Sequence, residues 1–218
     1  MKTIRINNKD IPQSGNSVLG HTIAAIKSNF IIDNPTLNLA ILFHDVGKND
    51  KTYKLIDNWK HSYHSHDYVG MKMMDSIARR LTMPNDVRDA IKFVCEKHMN
   101  FHKLNEVRIS KIIEWKDSPY WNYLKLTAKA DSYSRGEFLG RRDWNKITTR
   151  LDEVDRRPSY KDAQAAVSGN RIMELRGWSQ PSSKVGVIKK AAIDAIGNGI
   201  ITNDGASIDK FIKEYKID

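Results

Sequence analysis

One cysteine, Cys95, stands among 218 residues, so no internal disulfide can form, and the chain fits a reducing compartment. No apolar run approaches the ~20 residues that a membrane span needs. The opening "MKTIRINNKDIPQ" is polar and lacks the apolar core of a secretory signal. Internal repeats and low-complexity segments are absent. Together these absences point to a cytoplasmic globular protein with no membrane partner. Acidic residues are in the minority, at 26 against 36 Lys and Arg, for a net charge of +10. That balance favours an anionic partner such as a nucleotide, RNA or a phosphorylated metabolite. The surplus is spread in small pairs (Arg79-Arg80, Arg141-Arg142, Arg156-Arg157, Lys189-Lys190) rather than a basic tail.

Strand-like alternation is scarce too, confined to "KTIRIN" near the start. The rest reads as helix. Pro12, Gly15 and Ser17 punctuate the entry to a first helix over about 17–30. "TLNLAILFHDVG" forms a second, begun by Asn34-Pro35 and ending at Gly47. Residues 48–64 read as a polar loop, and a third helix follows over about 65–82. Pro84, Asp86 and Asp89 suit the first turn of a fourth. Two more fall near 106–116 and 119–135. Composition shifts near residue 140, where a charged stretch leads to Pro158. The expected organisation is a lead at 1–14, a main domain at 15–140, a charged helix and linker at 141–163, and a smaller helical module at 164–218. The expected fold class is all-α.

The chemistry concentrates in "FHDVGK". His44 and Asp45 together offer a nitrogen and two oxygens at one point, and a carboxylate can bridge two cations. Mixed nitrogen and oxygen ligation suits divalent transition metals and magnesium. Helical periodicity then finds polar residues at the ends of apolar stripes: Leu37, Ile41, His44; Val18, His21, Ala25; Val87, Ile91, Val94, Cys95, His98; and Leu124, Thr127, Ala128, Asp131. Burying such groups without partners costs on the order of several kcal/mol each. A shared metal satisfies all of them at once. A satisfied core histidine is the ordinary alternative for any one of these, but not for the set. In "WKHSYHSHDYVG" the stripe His66, Gly70, Met73, Met74, Ile77, Leu81 selects His66. His64 falls on a mixed face with Tyr68, Met71 and Asp75, and His61 in the preceding loop.

The order His21, His44-Asp45, His66, His98, Asp131 resembles the HD-domain superfamily of metal-dependent phosphohydrolases. "GHTIAAIKSN", "LAILFHDVGK", "HDYVGMKMMDSIARRLTMPNDVRDAIKFVCEKH" and "TAKADSYSRGEF" are more closely similar to the HD region of bacterial tRNA nucleotidyltransferases, the CCA-adding enzymes. The tail "VSGNRIMELRGWSQPSSKVGVIKKAAIDAIGNG" resembles that family's C-terminal module. The resemblance covers about residues 17–205. It implies an HD-domain helical bundle with a smaller C-terminal helical module. A nucleotidyltransferase head is missing before His21, so the expectation is that this chain does not add CCA.

What the resemblance implies is the hydrolytic half. The activities are 2',3'-cyclic phosphodiesterase, 2'-nucleotidase and phosphatase, with a nucleotide or RNA end as substrate and tRNA as a possible partner. The cofactor is a divalent ion (Mn, Ni, Co, Mg or Fe), one or two per site. His21, His44, Asp45 and Asp131 are expected to hold one metal, with Asp45 bridging to a second on His66 and His98. Lys48, soon after the His-Asp pair, is placed to steady a phosphate or leaving oxygen, or simply serves as a helix C-terminal cation. Arg135, one turn after Asp131, is a second candidate phosphate contact or a surface arginine. His102, next to Asn100 and Lys103, reads as an exposed residue rather than a ligand or outer-shell group, and Cys95 as core packing. Trp115, Trp121, Trp144 and Trp178 read as amphipathic packing before base stacking. The rival functions are hydrolysis of a cyclic or signalling nucleotide, and an RNA-binding module without chemistry. Oligomeric state is not legible in the sequence.

Overall fold

A computed structural model describes residues 3–6, 9–12, 17–28, 33–49, 52–57 and 60–217. The described chain is all-α apart from two short antiparallel hairpins. Those hairpins correct the expectation of a single strand-like stretch. The first pairs β1 (Thr3–Ile6) with β2 (Lys9–Pro12). The second pairs β3 (Tyr53–Asp57) with β4 (Lys60–Tyr63) inside the segment expected to be a polar loop. Tyr53 and Tyr63 are directly opposite, with ring centroids 5.6 Å apart, an aromatic cross-strand pair of the kind that stabilises a hairpin. Polar composition hides these two strands, because neither carries a sustained apolar alternation.

By its internal packing the chain divides into two units, Met1–Lys103 with Tyr120–Thr148, and Leu104–Pro119 with Thr149–Asp218. In the first, Ser17 caps α1 (Val18–Lys27), accepting from the Gly20 amide at 2.9 Å. Asn34 does the same for α2 (Pro35–Phe43), where Pro35 occupies the first turn. Helix α2 ends at Phe43 rather than Gly47, and His44 to Gly47 form a tight turn. Helix α3 (His66–Arg80) starts after Ser65, whose φ of 55° lies in the left-handed region. Helices α4 (Asn85–His102) and α6 (Trp121–Tyr133) complete the bundle, α6 packing against α1, α2 and α4. Ala25, Leu37, Ile41 and Ala130 form one buried cluster of its core. Trp121 is buried there, in contact with Phe101.

One crossing is unusually close. A Cβ on Gly47 would overlap the His66 carbonyl oxygen and come within 2.5 Å of the Gly70 amide nitrogen. Gly70 therefore admits the turn after α2. Leu81, expected on the buried stripe of α3, is exposed at the helix end.

The second unit begins with a 3-10 turn (Leu104–Glu106) and α5 (Ile109–Lys116), although these precede α6 in sequence. Helix α7 (Glu137–Asp155) starts before the expected charged segment, and α8 (Tyr160–Ala166) begins inside it. Helices α9 (Gly169–Arg176), α10 (Ser183–Gly197) and α11 (Gly205–Glu214) follow. Val167, Ile172, Ile188, Ala192, Ile193, Ile196, Ile208 and Ile212 form this unit's own core. Among the described residues no helix is long and apolar enough to cross a membrane.

Candidate metal centre

Five elements of the first unit deliver polar side chains to one place. Helix α1 supplies His21, the turn after α2 supplies His44, Asp45 and Lys48, α3 opens with His66, α4 carries His98, and α6 carries Asp131. His44, Asp45, His66 and His98 are all buried, and His21 and Asp131 are partly buried.

Asp45 is the hub. Its Oδ1 lies 3.3 Å from His66 Nε2 and 3.5 Å from His98 Nε2. Its Oδ2 lies 3.3 Å from His44 Nε2, 3.5 Å from His21 Nε2 and 2.5 Å from Lys48 Nζ. Each carboxylate oxygen thus faces one pair of imidazoles. Asp131 Oδ1 closes the His21–His44 side, 2.8 Å from His21 Nε2 and 3.9 Å from His44 Nε2.

The tautomers follow from the other ring nitrogens. Nδ1 of His44, His66 and His98 lies 2.7–2.8 Å from the carbonyl oxygens of Ile41, Tyr63 and Cys95. A carbonyl only accepts, so each Nδ1 carries a hydrogen and each neutral ring presents a bare Nε2. His21 Nδ1 meets Ser134 Oγ at 3.0 Å, and that hydroxyl already donates to the Asp131 carbonyl at 2.6 Å. His21 Nδ1 is therefore also a donor. Four lone pairs and two carboxylates converge. Among the described residues His44 Nε2 is buried without a hydrogen-bond partner, and His66 and His98 set their Nε2 atoms 3.2 Å apart. Backbone-anchored imidazoles with free Nε2 atoms are the usual form of metal-ligating histidine. His21, His44 and Asp45 can hold one cation, and Asp45, His66 and His98 another. These donors fit a divalent ion.

The electrostatics carry the same signature. Burial alone would raise the Asp45 pKa, but contacts from His44, His66 and His98 hold its carboxyl below the ordinary range. Burial would raise Asp131 too, and His102 and His21 outweigh it, leaving the group well below its ordinary value. Burial pushes His44 down, but Asp45 and Asp131 pull harder and leave it raised. For His98 burial wins, and its pKa is lowered.

Not every expected residue joins the cluster. Arg135 is half exposed and its guanidinium pairs with Asp143 at 2.8 Å. His64 is exposed. The side chain of His61 lies outside the described residues. His102 corrects the expectation of an exposed histidine: its Nε2 contacts Asp131 Oδ2 directly. The signal for it is present in the sequence, since it stands one helical turn after His98 on the same face. Ser134, which orients His21, is not singled out by the sequence pattern. Its position three residues after Asp131 is the only cue.

Comparison with known proteins is informative over part of the chain. Multifunctional CCA proteins of Legionella pneumophila, strains Paris and Philadelphia 1, are each 29% identical to it over 145 residues, and that of strain Lens is 28% identical. Each alignment covers 62% of this chain and 34% of the relative. The matched region is related to multifunctional CCA proteins. The chain spans about a third of the length of the curated relatives it matches. No family profile matches it, and neither does a solved structure.

Proposed function

We propose that this chain is a metal-dependent phosphohydrolase of the HD type, acting on a phosphoester of a nucleotide or an RNA end. One observation supports this above the others: four histidines, each with its Nδ1 hydrogen engaged, present bare Nε2 atoms around the two oxygens of Asp45. A pure binding module has no use for such a set. In this reading His21, His44, Asp45 and Asp131 hold one ion, and Asp45, His66 and His98 a second. A divalent ion bound there supplies Lewis acidity towards a phosphoryl oxygen and a water that ionises near neutral pH.

The chain's own groups do the rest. Asp45 aims one oxygen at each pair of histidines, and its buried negative charge offsets the cations that gather there. Lys48 holds its ammonium against Asp45 Oδ2 while remaining partly exposed. It is placed to bind a non-bridging phosphoryl oxygen and to offset charge on the leaving oxygen. Arg135 lies one turn beyond Asp131 on the exposed side, where it offers a more distant contact to a phosphate. The distant kinship with CCA proteins and the net charge of +10 favour RNA-linked substrates over small metabolites.

The same kinship and charge favour a second reading, an RNA-binding module. A substrate panel separates the two. Purified chain is assayed with Mn, Ni, Co or Mg against a 2',3'-cyclic nucleotide, nucleoside monophosphates, an aryl phosphodiester and tRNA. Metal-dependent turnover that is lost in Asp45→Ala supports the hydrolase. Binding of tRNA with no turnover of any substrate overturns it in favour of the binding module.

A further inference from the structure

The two carboxylates of the centre are built alike, each with imidazoles on both oxygens. Asp45 has two histidines on each side. Asp131 has His21 on Oδ1 at 2.8 Å, with His44 behind it at 3.9 Å. Among the described residues its Oδ2 has His102 alone. Neither Asp131 nor His102 belongs to the two groups of side chains that by themselves can enclose a cation; Asp131 meets the first group through its contacts to His21 and His44, and His102 meets it only through Asp131.

From this asymmetry we propose that His102 is a positioning residue for Asp131: its Nε2–H donates to Oδ2 and thereby aims Oδ1 at the metal site. The proposal rests on the hydrolytic centre described above and concerns how one of its ligands is held.

The geometry supports it at three levels. First, an aspartate has two torsions between backbone and carboxylate. One oxygen engaged on a metal leaves the other free to swing or to chelate the same ion. A donor on the second oxygen removes both freedoms. Second, Nδ1 of His21, His44, His66 and His98 is held as a donor by an oxygen acceptor, whereas among the described contacts Nδ1 of His102 has no such acceptor. The neutral His102 ring can therefore carry its hydrogen on Nε2, facing a carboxylate that only accepts. Third, its own placement is rigid. It sits in the last turn of α4, four residues after His98 and on the same face. Its neighbour Phe101 is fully buried against Trp121, the first residue of α6, with ring centroids 5.4 Å apart. Trp144 stacks on the same phenylalanine at 6.3 Å. The end of α4 is therefore clamped to the helix that carries Asp131. Ser134 completes the arrangement from the other side by anchoring His21 Nδ1 and the Asp131 carbonyl together. One face of α4 so supplies both a ligand, His98, and the group that orients a ligand on α6.

The test is metal affinity, which a merely structural histidine would not move selectively. Metal-free wild type, His102→Ala and His102→Gln are titrated with Mn by calorimetry, with bound metal counted by elemental analysis. Loss of an outer orienting donor typically weakens metal affinity about 10- to 100-fold. His102→Ala is expected to fall in that range while reaching the wild-type stoichiometry at saturating Mn. His102→Gln, which keeps an N–H donor of similar reach, is expected to recover most of the loss. Unchanged affinity in His102→Ala overturns the inference and leaves the hydrolytic centre standing. Loss of a full metal equivalent in both variants at saturation also overturns it, because His102 would then be a ligand. A wild type that binds no Mn overturns the centre and the inference together.

Discussion

His66 and His98 point their Nε2 atoms at one another across 3.2 Å, although each ring already donates its Nδ1 hydrogen to the carbonyl three residues earlier. Two neutral rings held this way oppose lone pair to lone pair. A cation between them, proton or metal, turns that repulsion into attraction. The same holds for His44, whose Nε2 is buried with no hydrogen-bond partner among the described residues. The first unit is therefore built around a place that favours positive charge, and its stability should report on what fills it.

Metal should stabilise the chain measurably. A ligand at 100 times its Kd contributes about 2.7 kcal/mol when it binds only the folded state. For a chain of this size that is about 5–10 °C of Tm. Thermal melts of EDTA-treated protein, before and after adding Mn, should show the rise. Asp45→Ala should melt at one temperature in both conditions.

Without metal, stability should depend on pH. His44 is raised from its ordinary 6.5, so its contribution is fully present below that pH and is lost as pH rises through the folded value. Asp131 is held well below its ordinary 3.8, so its contribution is present above that pH and is lost as pH falls. His98 works against His44, because its lowered pKa gives a contribution that is present above 6.5 and is lost as pH falls. Denaturant midpoints of the metal-free chain should therefore show a clear acid limb, falling as pH drops below about 4. Asp131→Asn should flatten the acid limb. A wild-type midpoint that is constant from pH 3 to 8 would contradict this account.

Gly47→Ala should be costly. The added Cβ meets the His66 carbonyl and the Gly70 amide, both backbone atoms that have no room to yield. Overpacking of this kind costs about 1–3 kcal/mol, read as a lower denaturant midpoint. Because the clash falls on His66, Mn affinity should drop as well. A substitution at Gly186, where an added Cβ meets nothing within 4 Å, should leave Mn affinity unchanged and serves as the control.

Cys95 should be silent to thiol reagents in the folded protein. Burial pushes its thiol up to about 12, and its Sγ–H donates to the Phe43 carbonyl at 3.3 Å. At pH 8 the thiolate fraction is then about 10³-fold below that of a free cysteine. Labelling with an aromatic disulfide should be slow in buffer and immediate in denaturant. Rapid labelling of the native chain would show that α4 opens near the centre.

The helices and the polar ends of their stripes are properties of the sequence alone. Apolar residues three and four apart define a face, and a histidine or aspartate on that face must be buried with it. That is why periodicity by itself singles out His21, His44, His66, His98 and Asp131. The adjacency of His44 and Asp45 is likewise a matter of sequence. Tertiary packing decided the rest. Periodicity assigns a residue to a face but does not say what lies opposite. The short hairpin at 53–63 is therefore illegible for want of a sustained apolar alternation, and the polar neighbours of His102 make it look exposed. Only the packing of α4 against α6 brings it to Asp131. Only the convergence of five elements divides Asp45's two oxygens between two pairs of histidines. Donor identity is carried by side-chain type and spacing, whereas donor orientation depends on backbone carbonyls, a serine hydroxyl and a glycine crossing that assemble when the chain folds.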